Sequence, residues 1–242
     1  VLDFIKNILN NEQFNPGFIG LFVNPFYFAR RGLYRHVSEL IGQLSGKILD
    51  IGCGQKPYSK LIKMGEIFGL ELDTRFNRET KKADFFYDGK AMPFADQSFD
   101  SLMANQVFEH VFNPVEFMRE ANRILKMKGF FLLTVPFMWD EHEQPYDFAR
   151  YSSFGLQHIL VDNGFEIVEH RKSNNGIEVI FQLLNSYFYK KLVTKKAILN
   201  LVISILVMSP FNIIGLALSK ILPANEDLYL DNVVLARKVK NV

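Results

Sequence analysis

One cysteine, Cys53, in a chain of 242 residues excludes an internal disulfide and fits a reducing compartment. A formal net charge of +2 is too small to argue for nucleic acid, and no arginine-rich stripe with interleaved aromatics accompanies it. No internal repeat or low-complexity tract is present. The opening VLDFIKNILNNEQF lacks a basic stretch followed by a long apolar core, so no secretory signal is expected and a cytoplasmic location is. What the chain has instead is apolar: 48% hydrophobic residues, with 24 Phe, enough for a sizeable core in one large domain.

Helices are expected through residues 1–45, where RGLYRHVSELIGQL sets Leu33, Val37, Leu40, Ile41 and Leu44 on one face. Strands and helices then alternate. Strand patterns cover Lys47–Ile51, Ile67–Leu72, Phe85–Tyr87, Ser101–Ala104 and Phe130–Val135, with helical stretches at Tyr58–Met64 and Val115–Leu125. Two further strands, Phe165–Arg171 and Asn232–Arg237, complete seven. Such alternation predicts an α/β fold: a Rossmann-like, seven-stranded, mostly parallel sheet with helices on both faces and ligands at the carboxyl ends of its strands. A single domain is expected, with N-terminal helices as a lid over 1–45, a core over 46–172, a hydrophobic helical insertion over 173–224 and a closing strand over 225–242.

LDIGCGQKPY, residues 49–58, carries the chain out of the first strand through a glycine turn. Gly52 and Gly54 let the backbone take left-handed angles and lie bare against a ligand, and Pro57 suits a first helical turn. The dinucleotide fingerprint asks for a third glycine where Pro57 stands. An acidic residue, Glu71, does stand about 20 positions further on, where ribose hydroxyls are held in such folds.

The ordered series ILDIGCG, GLELD, YDGKAMPFADQSFDSLMANQVFEHV and ANRILKMKGFFLLTVP resembles the class I S-adenosylmethionine-dependent methyltransferases, the type 11 group especially. Met127-Lys128-Gly129 stands where that family usually has Pro-Gly-Gly. The resemblance implies S-adenosyl-L-methionine as cofactor. It also implies a pocket drawn from Asp50, Gly52, Cys53, Gly54, Glu71, Leu72, Asp88, Gly89, Asn105 and Gln106. Asp50 and the turn would hold the methionine end, Glu71 the ribose, Asp88 and Gly89 the adenine, and Asn105 and Gln106 the methionine moiety. Cys53 reads as a small filler with no basic neighbour to activate it. Glu109 and His110 suit structural hydrogen bonding as well as they suit the site. No metal is implied.

DIGCGQKPY with HEQPYDFARYS is also similar to bacterial methyltransferases linked to surface-glycan and related pathways. The segment 139–152, WDEHEQPYDFARYS, comes after the fifth strand, where substrate-facing loops sit and functional groups concentrate. His142 is the expected base because its ordinary pKa lies near neutrality. Arg150 either grips an anionic group or pairs with Asp147, and Tyr151 completes the catalytic candidates.

AILNLVISILVMSPFNIIGLALSKIL, 197–222, is apolar almost throughout and is preceded by Lys190, Lys191, Lys195 and Lys196. Pro210 divides it, so two short helices folded as a hairpin are expected. The hairpin has three uses open to it: a membrane interface, the inner face included; a cover over the sheet; or a homodimer contact. The function expected is methyl transfer to a small-molecule, glycan or lipid-linked acceptor. Its rivals are a quinone or lipid methyltransferase and a non-catalytic cofactor-binding module of the same fold. No nucleic-acid partner is expected.

Overall fold

The computed structural model describes residues 12–242; the expected helix over the first eleven residues lies outside them. Seven strands form one sheet in the order β3-β2-β1-β4-β5-β7-β6. They are β1 (Gly46–Ile51), β2 (Gly65–Leu72), β3 (Phe85–Tyr87), β4 (Phe99–Asn105), β5 (Leu125–Pro136), β6 (Phe165–Asn175) and β7 (Tyr229–Lys238). From β3 to β5 every pairing is parallel. Chain order reverses direction across the sheet between β1 and β4, the switch point where open α/β sheets leave a crevice.

The chain divides into two compact units. The larger comprises His36–Phe137, Glu141–Arg171 and Asn232–Val242; the smaller comprises the chain up to Arg35, Met138–Asp140 and Lys172–Asp231. In the larger unit β1 is buried from Ile48 through Ile51, as a central parallel strand covered on both faces must be. Leu49 and Ile51, Leu102 and Ala104, and Phe131 and Leu133 alternate onto one face. There they meet Phe117, Met118, Ala121 and Ile124 from the Pro114–Ile124 helix and Leu156 and Leu160 from the Ser153–Asp162 helix. Pro114 opens the first of these, and the Ser152 hydroxyl caps the second by accepting the Gly155 N–H at 3.2 Å.

Two expected elements differ. Tyr58–Met64 carries only a 3₁₀ turn, Ser59–Leu61. Lys56 is left-handed at φ 52°, and Ile62 leaves the turn in an extended conformation at φ -77° and ψ 117°, which ends it before an α-helical turn is complete. The hydrophobic insertion is one continuous helical run, Ala197–Leu218, and not a hairpin. A π-helical turn at Ser204–Met208 precedes Pro210, which therefore sits in the first turn of the next α-helical segment. A proline there lacks an N–H that the ladder does not need.

The smaller unit holds two apolar clusters, one around Leu21, Tyr27 and Phe28 and one around Ala29, Val179 and Leu230, and buries polar side chains beside them. In the Ala197–Leu218 run Ser204, Met208, Ser209, Asn212 and Gly215 are buried, while Ile198, Leu206, Ile213 and Ile214 are exposed. In the Ile177–Leu192 helix Gln182, Asn185 and Ser186 are buried. Asn185 Nδ2 donates to Asn212 Oδ1 at 2.8 Å, and Asn212 Nδ2 donates to the Leu21 and Asn24 carbonyls at 3.0 and 3.1 Å. A Cβ at Gly215 would come within 2.9 Å of Phe181 and Phe28, so the glycine sets how closely these segments approach. Asn212→Leu raises the hydropathy of the run yet leaves two carbonyls and one amide without their partner. Unfolding in denaturant, monitored by the emission of the single tryptophan, Trp139 of this unit, is expected to show a loss of about 1–3 kcal/mol. An unchanged midpoint would show that the buried amide carries no stability.

Candidate active site

At the carboxyl ends of β1, β2 and β4 the larger unit encloses a cavity of about 540 Å³. Gly52 and Gly54, at φ 66° and 52°, turn the chain away from β1. A Cβ on Gly52 would stand 2.4 Å from Val107 Cγ2, while one on Gly54 would meet nothing within 4 Å, because the turn there faces open space. The Gly52 N–H donates to the Leu70 carbonyl at 2.8 Å and the Gly54 N–H to Glu71 Oε1 at 2.7 Å, which ties the turn to the end of β2. Gly69 permits this fit: a Cβ on it would lie 2.5 Å from Cys53 Sγ and 2.6 Å from Lys56 Cε. Lys56 Nζ in turn pairs with Asp84 at 2.5 Å.

Seven of the expected cofactor residues line the cavity: Gly52, Gly54, Glu71, Leu72, Asp88, Gly89 and Gln106. Glu71 is buried, with Oε2 accepting from Asn77 Nδ2 at 3.4 Å. Asp88 Oδ1 accepts the Lys90 N–H at 2.9 Å, which shapes the turn after β3. Gln106 takes the left-handed region at φ 55°, and its amide donates to the Thr134 carbonyl at 3.0 Å.

Asp50, Cys53 and Asn105 are not among the lining residues. Asp50 is buried behind the turn; burial pushes its carboxyl up to about 8, the Lys56 charge opposes this and the Glu71 charge adds to it. Burial, reinforced by the Asp50 and Glu71 charges, pushes the Cys53 thiol up to about 12, which suits a filler and not a nucleophile. Asn105 Oδ1 accepts from the Thr134 hydroxyl at 3.5 Å.

None of the catalytic candidates His142, Arg150 and Tyr151 lines the cavity. Both terminal nitrogens of Arg150 donate to Asp147, at 2.5 and 2.6 Å, which is the pairing that was one of its two expected uses. Burial would raise the Asp147 carboxyl, but Arg150 and the His142 N–H hold it down at about 2. Tyr151 stacks on Phe108 with ring centroids 4.8 Å apart, and burial with the Glu109 charge pushes its hydroxyl up to about 12. Trp139 and Asp140, read as part of the same loop, belong to the smaller unit, where Asp140 pairs with Lys190 at 2.8 Å.

Sequence reasoning left His110 open and did not single out Glu143, Tyr146 and Phe148, yet all four line the cavity. Phe148 meets Phe112 edge-on at 5.2 Å, and both rings are exposed at the rim. His110 lies in a 3₁₀ turn, Phe108–His110, just past β4; its ring stands edge-on to that of His142, centroids 4.9 Å apart. The signal that pointed here was EH within FEHV, which periodicity alone does not separate from a structural turn.

Residues 49–133 match the family model described as a methyltransferase domain. An uncharacterized protein of Methanocaldococcus jannaschii is 32% identical over 130 residues, covering 50% of this chain and 54% of that one. A malonyl-[acyl-carrier protein] O-methyltransferase of Legionella pneumophila is 30% identical over 100 residues, covering 36% and 35%. The matches thus span about half of these relatives' length or less. Among solved structures the [4+2]-cyclase SpnF aligns with TM-score 0.55 at 18% identity, over 84% of this chain and 80% of that one. A Haemonchus contortus phosphoethanolamine N-methyltransferase in complex with S-adenosyl-L-methionine aligns with TM-score 0.54 at 15% identity, over 95% and 59%. At such identities the likeness is one of fold, and the cyclase shows that the fold hosts more than one chemistry.

Asp50 offers a pH test of the turn. Its folded-state value lies above the ordinary 3.8, so the stability tied to its protonated form is complete below that value. That stability is lost as pH rises towards about 8. Asp50→Asn is therefore expected to raise the denaturation midpoint at pH 8, with the gain vanishing below about pH 4. A variant no more stable than the parent at pH 8 would mean that the carboxylate is held ionised.

Proposed function

We propose that this chain, whose residues 49–133 belong to the methyltransferase-domain family, transfers a methyl group from S-adenosylmethionine to a membrane-borne acceptor. The observation that carries the transfer is the cavity at the switch point, bordered by a bare-backbone turn and by two strand-end acids. The residues fit the cofactor. The open face at Gly54 leaves room for the methionine end, Glu71 offers its carboxylate to the ribose, and Asp88 beside Gly89 suits the adenine amino group. When bound, S-adenosylmethionine supplies an electrophilic methyl group on a sulfonium. The protein's own task is to align the acceptor and take its proton, and Glu143, which lines the cavity, is a carboxylate available for that proton. The exposed Phe112 and Phe148 at the rim favour an acceptor with an apolar part.

What supports the membrane is the smaller unit by itself. The Ala197–Leu218 run is 22 residues long with mean hydropathy 2.3; it buries Ser204, Ser209, Asn212 and Gly215 together with Met208 and leaves Ile198, Leu206, Ile213 and Ile214 outside. Helices in lipid are packed this way, with small residues and side-chain amides at the contact. Outward apolar residues in water would instead form an exposed patch with no compensating burial.

Calorimetry with S-adenosylhomocysteine, the demethylated product, tests the cofactor. Binding is expected, with Glu71→Ala weakening it by about 1.5–3 kcal/mol. Binding of NAD in place of S-adenosylhomocysteine would end the methyltransferase reading. Sedimentation with anionic liposomes tests the membrane. The chain is expected to pellet at low salt and to be only partly released at high salt, since the lysines' attraction is screened and apolar burial is not. Serine at Ile198, Leu206 and Ile214 together is expected to abolish the salt-resistant part with Trp139 emission unchanged. A parent chain that never pellets would rule out the membrane-borne acceptor.

A further inference from the structure

Glu109, His110 and His142 bring one carboxylate oxygen and two imidazole nitrogens within 4.8 Å of one another beside the cavity. His110 Nε2 lies 3.8 Å and His142 Nε2 3.9 Å from the same atom, Glu109 Oε1. These separations exceed a hydrogen bond, which holds donor and acceptor at about 2.7–3.2 Å. Two ligands at about 2.0–2.2 Å from one tetrahedral zinc ion stand about 3.4 Å apart, so seating an ion asks each histidine to close on Glu109 by about half an ångström and the two histidines, within 4.8 Å of each other, to close by at most about 1.4 Å.

Both imidazoles are oriented from behind. His110 Nδ1 stands 2.7 Å from the Tyr146 carbonyl, which only accepts, so Nδ1 carries the proton and Nε2 the lone pair. His142 Nδ1 stands 3.1 Å from Asp147 Oδ2. Arg150 Nη2 is further from that nitrogen, at 3.4 Å, and has its closer bond to Asp147 at 2.6 Å. Asp147 is the nearer of the two partners, and a Nδ1 proton shared with that carboxylate would leave Nε2 as the ligand atom facing Glu109. A carboxylate or carbonyl on the far nitrogen of each histidine is the arrangement by which proteins set tautomer and ring angle at a metal. Glu109 itself is buried, and its backbone carbonyl accepts from the Phe148 and Ala149 amides at 2.9 and 3.2 Å, so the turn and the loop that carry the ligands are fastened together.

From this geometry we infer that Glu109, His110 and His142 form a binding site for a divalent transition-metal ion of the zinc class. Mixed imidazole and carboxylate donors suit zinc, cobalt and nickel better than calcium or magnesium, which prefer oxygen alone. Three protein ligands leave a tetrahedral ion one position open. Because His110 lines the cavity, that position is placed to hold an oxygen-bearing acceptor, a role that rests on the methyl-transfer reading; the metal site itself does not.

Cobalt(II) added to the chelator-treated full chain, without any cofactor, gives the direct test. One equivalent is expected to bind and to show the intense visible bands of a four-coordinate ion, and zinc is expected to displace it. His110→Ala, His142→Ala and Glu109→Gln are each expected to abolish those bands. Asp147→Asn, which keeps all three ligands and loosens one of them, is expected to weaken affinity about 10–100-fold. His158→Ala, an exposed histidine paired with Asp162, is expected to change nothing. Circular dichroism of each variant separates loss of the site from loss of the fold. Absence of the bands in the parent chain, or bands that survive both histidine variants, would overturn the proposal. Neither outcome depends on whether S-adenosylhomocysteine binds.

Discussion

The 2.7 Å hydrogen bond from the Gly54 amide to the Glu71 carboxylate joins the turn after β1 to the end of β2, and the cavity is built around that join. It requires a left-handed backbone at Gly52 and Gly54, because only then does the Gly54 amide point back along the sheet. It requires Gly69 beneath, since any side chain there would collide with Cys53 and Lys56. Val107 closes against Gly52 from the neighbouring strand's end. Once these contacts are set, the carboxyl ends of three parallel strands converge with their acids and amides directed at one space. Asp50 bears the cost: burial behind the turn favours its neutral form.

The smaller unit adds a second kind of packing to its apolar clusters. Beside Leu21, Tyr27, Phe28 and Val179 its helices bury serine, asparagine, glutamine and glycine and leave many isoleucines and leucines outside, so hydrogen bonds share in holding it together. Asn212 is the centre of that arrangement, with one amide serving two backbone carbonyls and one neighbouring side chain. In water such packing gives up much of the hydrophobic contribution that stabilises the larger unit; in lipid it does not.

Much of the sheet was legible in the sequence because buried parallel strands advertise themselves as short apolar runs. Phe85–Tyr87 was located to the residue, and the other strands extend the expected spans at one or both ends. The glycine turn, Glu71 and Asp88 were legible because each sits at a strand end, where chain order alone places it at the crevice. What escaped depends on side-chain direction. Asp50 and Asn105 are also at strand ends but do not line the cavity. Arg150 and Tyr151 belong to the loop's own framework, and nothing in their spacing distinguishes them from His110 and Tyr146, which reach the cavity. The hairpin misjudged Pro210, since a π turn one step earlier lets a single helical run pass through a proline. The grouping of Glu109 and His110 with His142 joins residues more than thirty positions apart, and only the fold brings them together.

Hydrogen–deuterium exchange with and without S-adenosylhomocysteine reads the glycine turn and the strand ends at once, and so bears most directly on whether this cavity is the cofactor site. Slowed exchange is expected over Gly52–Lys56, Leu72–Asp73, Asp88–Lys90 and Gln106–Val107, with the Ala197–Leu218 run unchanged. Exchange that is unaltered across the glycine turn at saturating ligand, or protection confined to other segments, would contradict that assignment.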